Sequence, residues 1–242
     1  MSTSRREGMS GPLLLEGIVI VLSILLAFAL DTWWDERIER SEEIAILNNL
    51  EQEFRAAQAQ FDFYYGWHER IERAVAQTLQ TAREASARGS VSITVPDTAV
   101  ALVYLSPTFD PRLGTLDGLL ASGRLRLIRD PELRHALAGW PGLLREGTEE
   151  EEKALRHVAT QLDPVFRQRM DVSGPLGMLL PLTEGSLSTE QTHAESLMPV
   201  DTEVLAVLAL RHVHEDHGLD DLGDVHEEIG RILLLIDAQL RG

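Results

Sequence analysis

The sequence predicts an all-α protein: an N-terminal transmembrane helix runs into a long stalk helix, which packs against a long C-terminal helix or helix pair, with short helices in between. Three observations predict it. A run of Leu, Ile, Val and Ala near the start carries a single charge. Two later stretches repeat apolar residues in alternating steps of three and four, the spacing of helices that pack along one another. Nine of the ten prolines fall between residues 89 and 200, where long helices must give way to short ones. The chain divides accordingly into a tail (1–12), an anchor (13–34) and an acidic helical domain (35–242) containing a long surface loop at 171–200.

The anchor is LLLEGIVIVLSILLAFAL, whose only charge is Glu16. A helix from Pro12 to Trp34 is about 34 Å long and covers a hydrocarbon layer of about 30 Å. Glu16 lies about one turn from the end, within reach of headgroups. Trp33 and Trp34 follow the apolar run and suit the interfacial belt of a membrane. A buried core helix and a cleaved signal peptide ending at Ala27-Phe28-Ala29 are the competing readings. Against cleavage, no helix breaker precedes the site. Arg5 and Arg6 on the short tail face Arg37 and Arg40 on the other side. A twelve-residue tail with two arginines is the usual start of a signal anchor, so the N-terminus is expected in the cytoplasm and the domain outside it.

Beyond Trp34 no proline occurs until Pro96, while Leu47, Leu50, Phe54, Ala57, Phe61, Tyr64, His68, Ile71, Val75, Thr78 and Ala82 form one stripe. Glu42, Glu43, Glu51, Glu53, Arg70 and Arg73 are among the charges assigned to the other faces. The helix is expected to end near Gly89. Leu205, Leu208, His212, Glu215, Leu219, Leu222, His226, Ile229, Leu233, Ile236 and Leu240 form a second stripe, where Gly218 and Gly223 allow a break. The two stripes are predicted to pack on each other; a homodimer through the stalk is the alternative.

In the middle, Val91–Val95 alternates like a strand but has no evident partner, so extended loop is expected. Helices are expected over 97–105 and 115–122, the second closed by Gly123. Asp130-Pro131 gives an N-cap followed by proline at the first helical position, starting a helix to about Ala138 that Trp140-Pro141 interrupts. Another is expected over 148–161, with Glu149 to Glu152 in its first turn.

The exit of the anchor, LLLEGIVIVLSILLAFALDTWWDERIER, taken with TLDGLLASGRLRLIRDPELRHAL, resembles a family of bacterial single-pass membrane proteins of uncharacterised activity, built from an N-terminal span and an acidic helical domain. The resemblance covers about a quarter of the chain. It implies an anchored helical domain, placed here in the bacterial inner membrane with the domain periplasmic, and carries over no catalytic residue.

Twenty-two basic against 39 acidic residues leave a formal charge of −17, which repels phosphate backbones, so no nucleic-acid partner is expected. With no cysteine, disulfides, thiolate metal sites and a cysteine nucleophile are excluded. Neither a Gly-x-Ser-x-Gly elbow nor a phosphate-binding loop occurs, and Lys153 is the only lysine. The anchor has no histidine to ligate a haem, and no cofactor is expected. On a helix, His214, His217 and Asp221 share one face and could hold zinc, copper or nickel; a solvated polar face explains the same residues. His68, His212 and His226 read as packing histidines. Of five aromatics in seven residues, Phe61 and Tyr64 fit the stripe, leaving Phe63, Tyr65 and Trp67 for a partner surface or the middle helices.

The expected role is a non-catalytic, single-pass subunit that contacts and stabilises a larger membrane assembly, respiratory or photosynthetic complexes being examples of such hosts. Its expected partners are the lipid bilayer and neighbouring membrane proteins. A membrane-tethered sensor or ligand-binding module is the second reading, and a metal-dependent enzyme using the histidine cluster the third.

Overall fold

The computed structural model describes residues 10–179 and 194–241; between residues 10 and 20 only the side chains of Glu16 and Val19 are described. Helix α1 (Ser10–Ala87) is continuous through Gly66. Gly89, at φ 81°, closes it: its N–H bonds Ser86 O while that of Ser90 reaches Ala85 O, so the left-handed residue satisfies orphaned carbonyls. Ten of the eleven stripe positions from Leu47 to Ala82 are buried, Tyr64 being the partial exception.

What covers them is chiefly α8 (Thr202–Arg241), one helix running antiparallel to α1 despite Gly218 and Gly223. Arg40 donates to Gln239 O at one end of the pair, and Glu72 faces His212 towards the other. The stripe positions from Phe54 to Val75 are thus covered within the chain, Tyr64 only in part. Half of the second stripe is displaced. Leu208, Glu215, Leu222, Ile229 and Ile236 are buried, but between them the seam takes Val204, Arg211, Gly218, Val225 and Ile232 instead of Leu205, His212, Leu219, His226 and Leu233. His226 is half exposed.

The middle segment wraps this pair. Strand β1 (Ser92–Pro96) pairs antiparallel with β2 (Glu195–Pro199), Ser92 opposite Pro199 and Pro96 opposite Glu195. Residues 92–95 are therefore a paired strand rather than extended loop, with a partner about a hundred residues away that local pattern does not reveal. The two prolines sit at strand ends, where the missing N–H is tolerated. Between the strands come α2 (Asp97–Tyr104), α3 (Gly114–Ser122), a 3₁₀ turn (Arg124–Leu127) and α4 (Pro131–Gly147). They continue into α5 (Glu149–His157), a π turn (Val158–Leu162), α6 (Asp163–Arg169) and α7 (Ser173–Gly177). The expected 171–200 loop thus contains α7 and β2, and its residues 180–193 lie outside the described residues.

Asp130 caps α4 by accepting from Leu133 N–H at 2.6 Å. That helix passes through Pro141 rather than stopping before it. Pro141 is exposed, so the lost hydrogen bond is on the solvent side, while Trp140 beside it is buried edge-on against Phe54 at 5.2 Å. At Val158–Leu162 the outcome is reversed: Pro164, at the start of α6, has no N–H and would crowd the carbonyl four residues back, and the helix widens into a π turn there.

Two apolar cores result. One joins Leu47–Phe61 of α1 to α3, α4 and Leu222–Ile236 of α8; the other joins Ile71–Ala82 to the ribbon, α2, α6 and Val204–Leu208. Below both, residues 21–39 of α1 are exposed, although the Arg129 guanidinium reaches Glu36 O at 3.4 Å. Val21, Leu22, Ile24, Leu25, Leu26, Phe28 and Leu30 are each at least 50 % exposed, around the whole circumference of the helix. Among the residues whose side chains are described, no helix is long and apolar enough to cross a membrane; the side chains of 10–15, 17, 18 and 20 fall outside that set.

Candidate functional site

Three features could carry function: a buried polar layer between the two cores, the uncovered helix below them, and clefts on the bundle surface. The polar layer comes from three helices. His68 of α1 places Nδ1 3.0 Å from Glu215 Oε2 of α8 and Nε2 3.2 Å from Glu151 Oε1 of α5. Glu151 also accepts Phe109 N–H at 2.9 Å. Arg211 forms an ion pair with Glu215 one turn on, and donates to Val103 O at 3.1 Å and Leu105 O at 2.7 Å. Arg211 is completely buried and the other three nearly so.

Burial alone would depress the His68 pKa, but the carboxylates of Glu151 and Glu215 outweigh it and raise it from 6.5 to about 9. Burial also works against the Glu215 carboxylate; Arg211 first, then His68, nevertheless hold its pKa below the usual value. At neutral pH His68 is therefore protonated and Glu215 ionised. None of the layer's members lines either cleft described below; the arrangement ties α1, α5 and α8 together. Other glutamates from the supposed solvated faces tie down the connecting segment. Buried Glu43 accepts Arg129 N–H at 2.6 Å, and Glu53 accepts Thr115 N–H at 2.8 Å.

The histidine cluster is dispersed. His214 is committed to Glu150, Nδ1 to Oε2, at 2.9 Å, while His217 and Asp221 are exposed. Partial burial and then Glu150 push the Asp221 pKa up from its usual value. Among the described residues no group of three or more His, Asp or Glu side chains is placed to hold a metal. His157, near His214, donates from Nε2 to Val207 O at 2.8 Å, and burial lowers its pKa.

Trp33 and Trp34 are both more than half exposed, with ring centroids 6.2 Å apart and the Arg37 guanidinium 5.7 Å from the Trp33 centroid. The three other aromatics separate. Phe63 is 62 % exposed, Tyr65 stacks on buried Phe61 at 5.5 Å, and Trp67 is half-buried at a cleft edge beneath the Arg70 guanidinium. That cleft, about 550 Å³, lies between α1, β1 and α2; a second of about 370 Å³ lies beside Tyr64 and Asp110. Sequence reasoning missed the cleft and the layer alike. An Arg-x-x-x-Glu pair on the seam of a helix, at Arg211 and Glu215, was the available signal for the layer.

No protein-family model matches the chain, and neither a curated protein nor a solved structure matches it.

Proposed function

We propose that this chain is a non-catalytic, single-pass, membrane-anchored helical module that contacts and stabilises neighbouring proteins of a larger membrane assembly. The observation that carries the proposal is the uncovered apolar helix. Leaving seven large apolar side chains between Val21 and Leu30 in water forgoes on the order of 10 kcal/mol of burial, comparable to the whole stability of a typical domain. An all-round apolar helix finds that burial in lipid, not on one partner face. From Pro12 to Trp34 it is about 34 Å long, close to the thickness of a hydrocarbon layer. The exposed Trp33–Trp34 pair with Arg37 beside it suits the layer's boundary. Exposed Phe63, edge-on to Tyr64 and Trp67, offers an aromatic patch for a partner on the bundle above.

The short tail is placed in the cytoplasm and the bundle outside it. Because the chain has no cysteine, single cysteines at Ser4 and Ser41 report this directly: an impermeant maleimide added to spheroplasts labels position 41 and spares position 4. Alkaline carbonate extraction tests the anchor itself. The chain stays with the membrane pellet, whereas Ile24→Arg combined with Leu25→Arg releases it; wild-type chain in the carbonate supernatant overturns the proposal. Mild-detergent purification from native membranes, followed by identification of co-purifying proteins, tests the assembly role.

A further inference from the structure

We infer that the cleft between the middle of α1 and the β1–α2 corner binds a small organic monocarboxylate, an apolar ring-sized body bearing one carboxylate. Its volume of about 550 Å³ is in the range of small-molecule sites. Its apolar lining comes from Ala74, Val95, Ala99 and Leu102, and Thr78, Thr94 and Thr98 line it as well. Arg70 and Arg73 lie one turn apart on its α1 edge, with the Trp67 ring 5.1 Å from the Arg70 guanidinium.

In a chain with 39 acids and 22 bases, ten of the nineteen described arginines reach a carboxylate, Arg40, Arg124, Arg129 and Arg231 among them, and nine do not. Among the described residues, neither Arg70 nor Arg73 has a carboxylate within ion-pair distance, although both are on a strongly acidic protein. Two uncommitted guanidiniums on the rim of an apolar cleft are complementary to an anion attached to an apolar body.

The same surroundings select against a phosphate dianion. The helix end nearest the cleft is that of α2, and its first residue is Asp97, buried and bonded to Ser196 Oγ. An acidic residue in the first turn of α2 offsets the dipole that would otherwise favour phosphate at that helix end. A single negative charge met by two arginines at the opposite edge is the better match. The inference is independent of the anchor, since the cleft lies about 50 Å along α1 from Trp34.

The test uses the full chain in detergent micelles, with 2-naphthoate as the probe and 2-naphthylmethylamine as a cation of the same body. Titration calorimetry is run on the wild type, on Arg70→Gln/Arg73→Gln, and on Ala99→Leu, which adds bulk to the apolar lining. All are titrated in identical micelles, so partition of the probe cancels. Naphthoate is expected to bind the wild type with a Kd on the order of 1 mM or tighter, at least about tenfold more weakly with either variant, and the amine not at all. Circular dichroism melts confirm that the variants remain folded; the replaced arginines are exposed. Naphthoate affinity unchanged by loss of both arginines, equal binding of the amine, or no binding up to about 10 mM overturns the inference.

Discussion

His68 shows what one side chain contributes by its position. It stands where the two apolar cores meet, facing Glu151 from α5 and Glu215 from α8, with Arg211 completing the charge balance. Its pKa of about 9 in the folded chain exceeds the unfolded 6.5. The protonated form therefore stabilises the fold in full below pH 6.5, and that contribution is lost as pH rises through 9. A shift of this size corresponds to roughly 3 kcal/mol. His68→Gln is expected to lower Tm strongly at pH 6, with the difference from wild type shrinking between pH 6.5 and 9.5. A difference that does not change with pH contradicts the charged layer. His68 was legible in the sequence as a packing residue because it falls on the α1 stripe. Its partners were not, since Glu151 belongs to a run of four glutamates that reads as a solvated helix start, and Arg211 is a charge on a seam. Glu43 and Glu53 were hidden for the same reason: nothing in their neighbourhood signals that a backbone N–H from a distant segment will need an acceptor.

Among the elements, α1 was readable almost position by position because its apolar residues keep the period without gaps. On α8 the strongest apolar residues of alternate heptad positions, Leu205, Leu219 and Leu233, drew the stripe one residue away from the true seam. There small or charged groups are buried instead, and Gly218 and Arg211 are selected by what they face. The end of α4 depends on the same kind of fit. A methyl group added at Gly147 would lie 2.3 Å from Val225 Cγ2, and a β-branched side chain on a helix has little freedom to turn aside. Gly147→Ala is expected to destabilise the chain by about 1–3 kcal/mol, read as a drop in Tm. Adding Val225→Ala should recover part of the loss, and no loss at all would mean that α4 and α8 stand farther apart. The ribbon shows the limit of local reading most plainly: β1 has the composition of a strand, but its partner is separated by the entire middle segment.

For the whole molecule, the covered and uncovered parts of α1 meet at one level. Arg40 is the first side chain of α1 to bond α8, and Glu43 and Leu47 are the first buried ones. A chain beginning at Glu39 thus keeps both cores and the polar layer while losing the apolar rod. It is expected to remain in solution without detergent, to elute as a monomer in size-exclusion chromatography and to melt cooperatively. Precipitation of that chain would show that the rod covers part of the bundle. The all-α class, the apolar start and the pairing of the two long helices were legible because each is written in hydrophobic period. The cleft was not, because its lining joins one face of α1 to residues that only the ribbon brings alongside.

Helix α1 has no loop between the apolar rod and the ribbon end. With the rod seated in a bilayer, it behaves as a lever: the part above the rod is about 70 Å long, so a tilt of about 10° swings its far end sideways by about 12 Å. Changes in bilayer thickness or in a neighbour's grip on the rod would then displace the distal end of the bundle without any joint having to open.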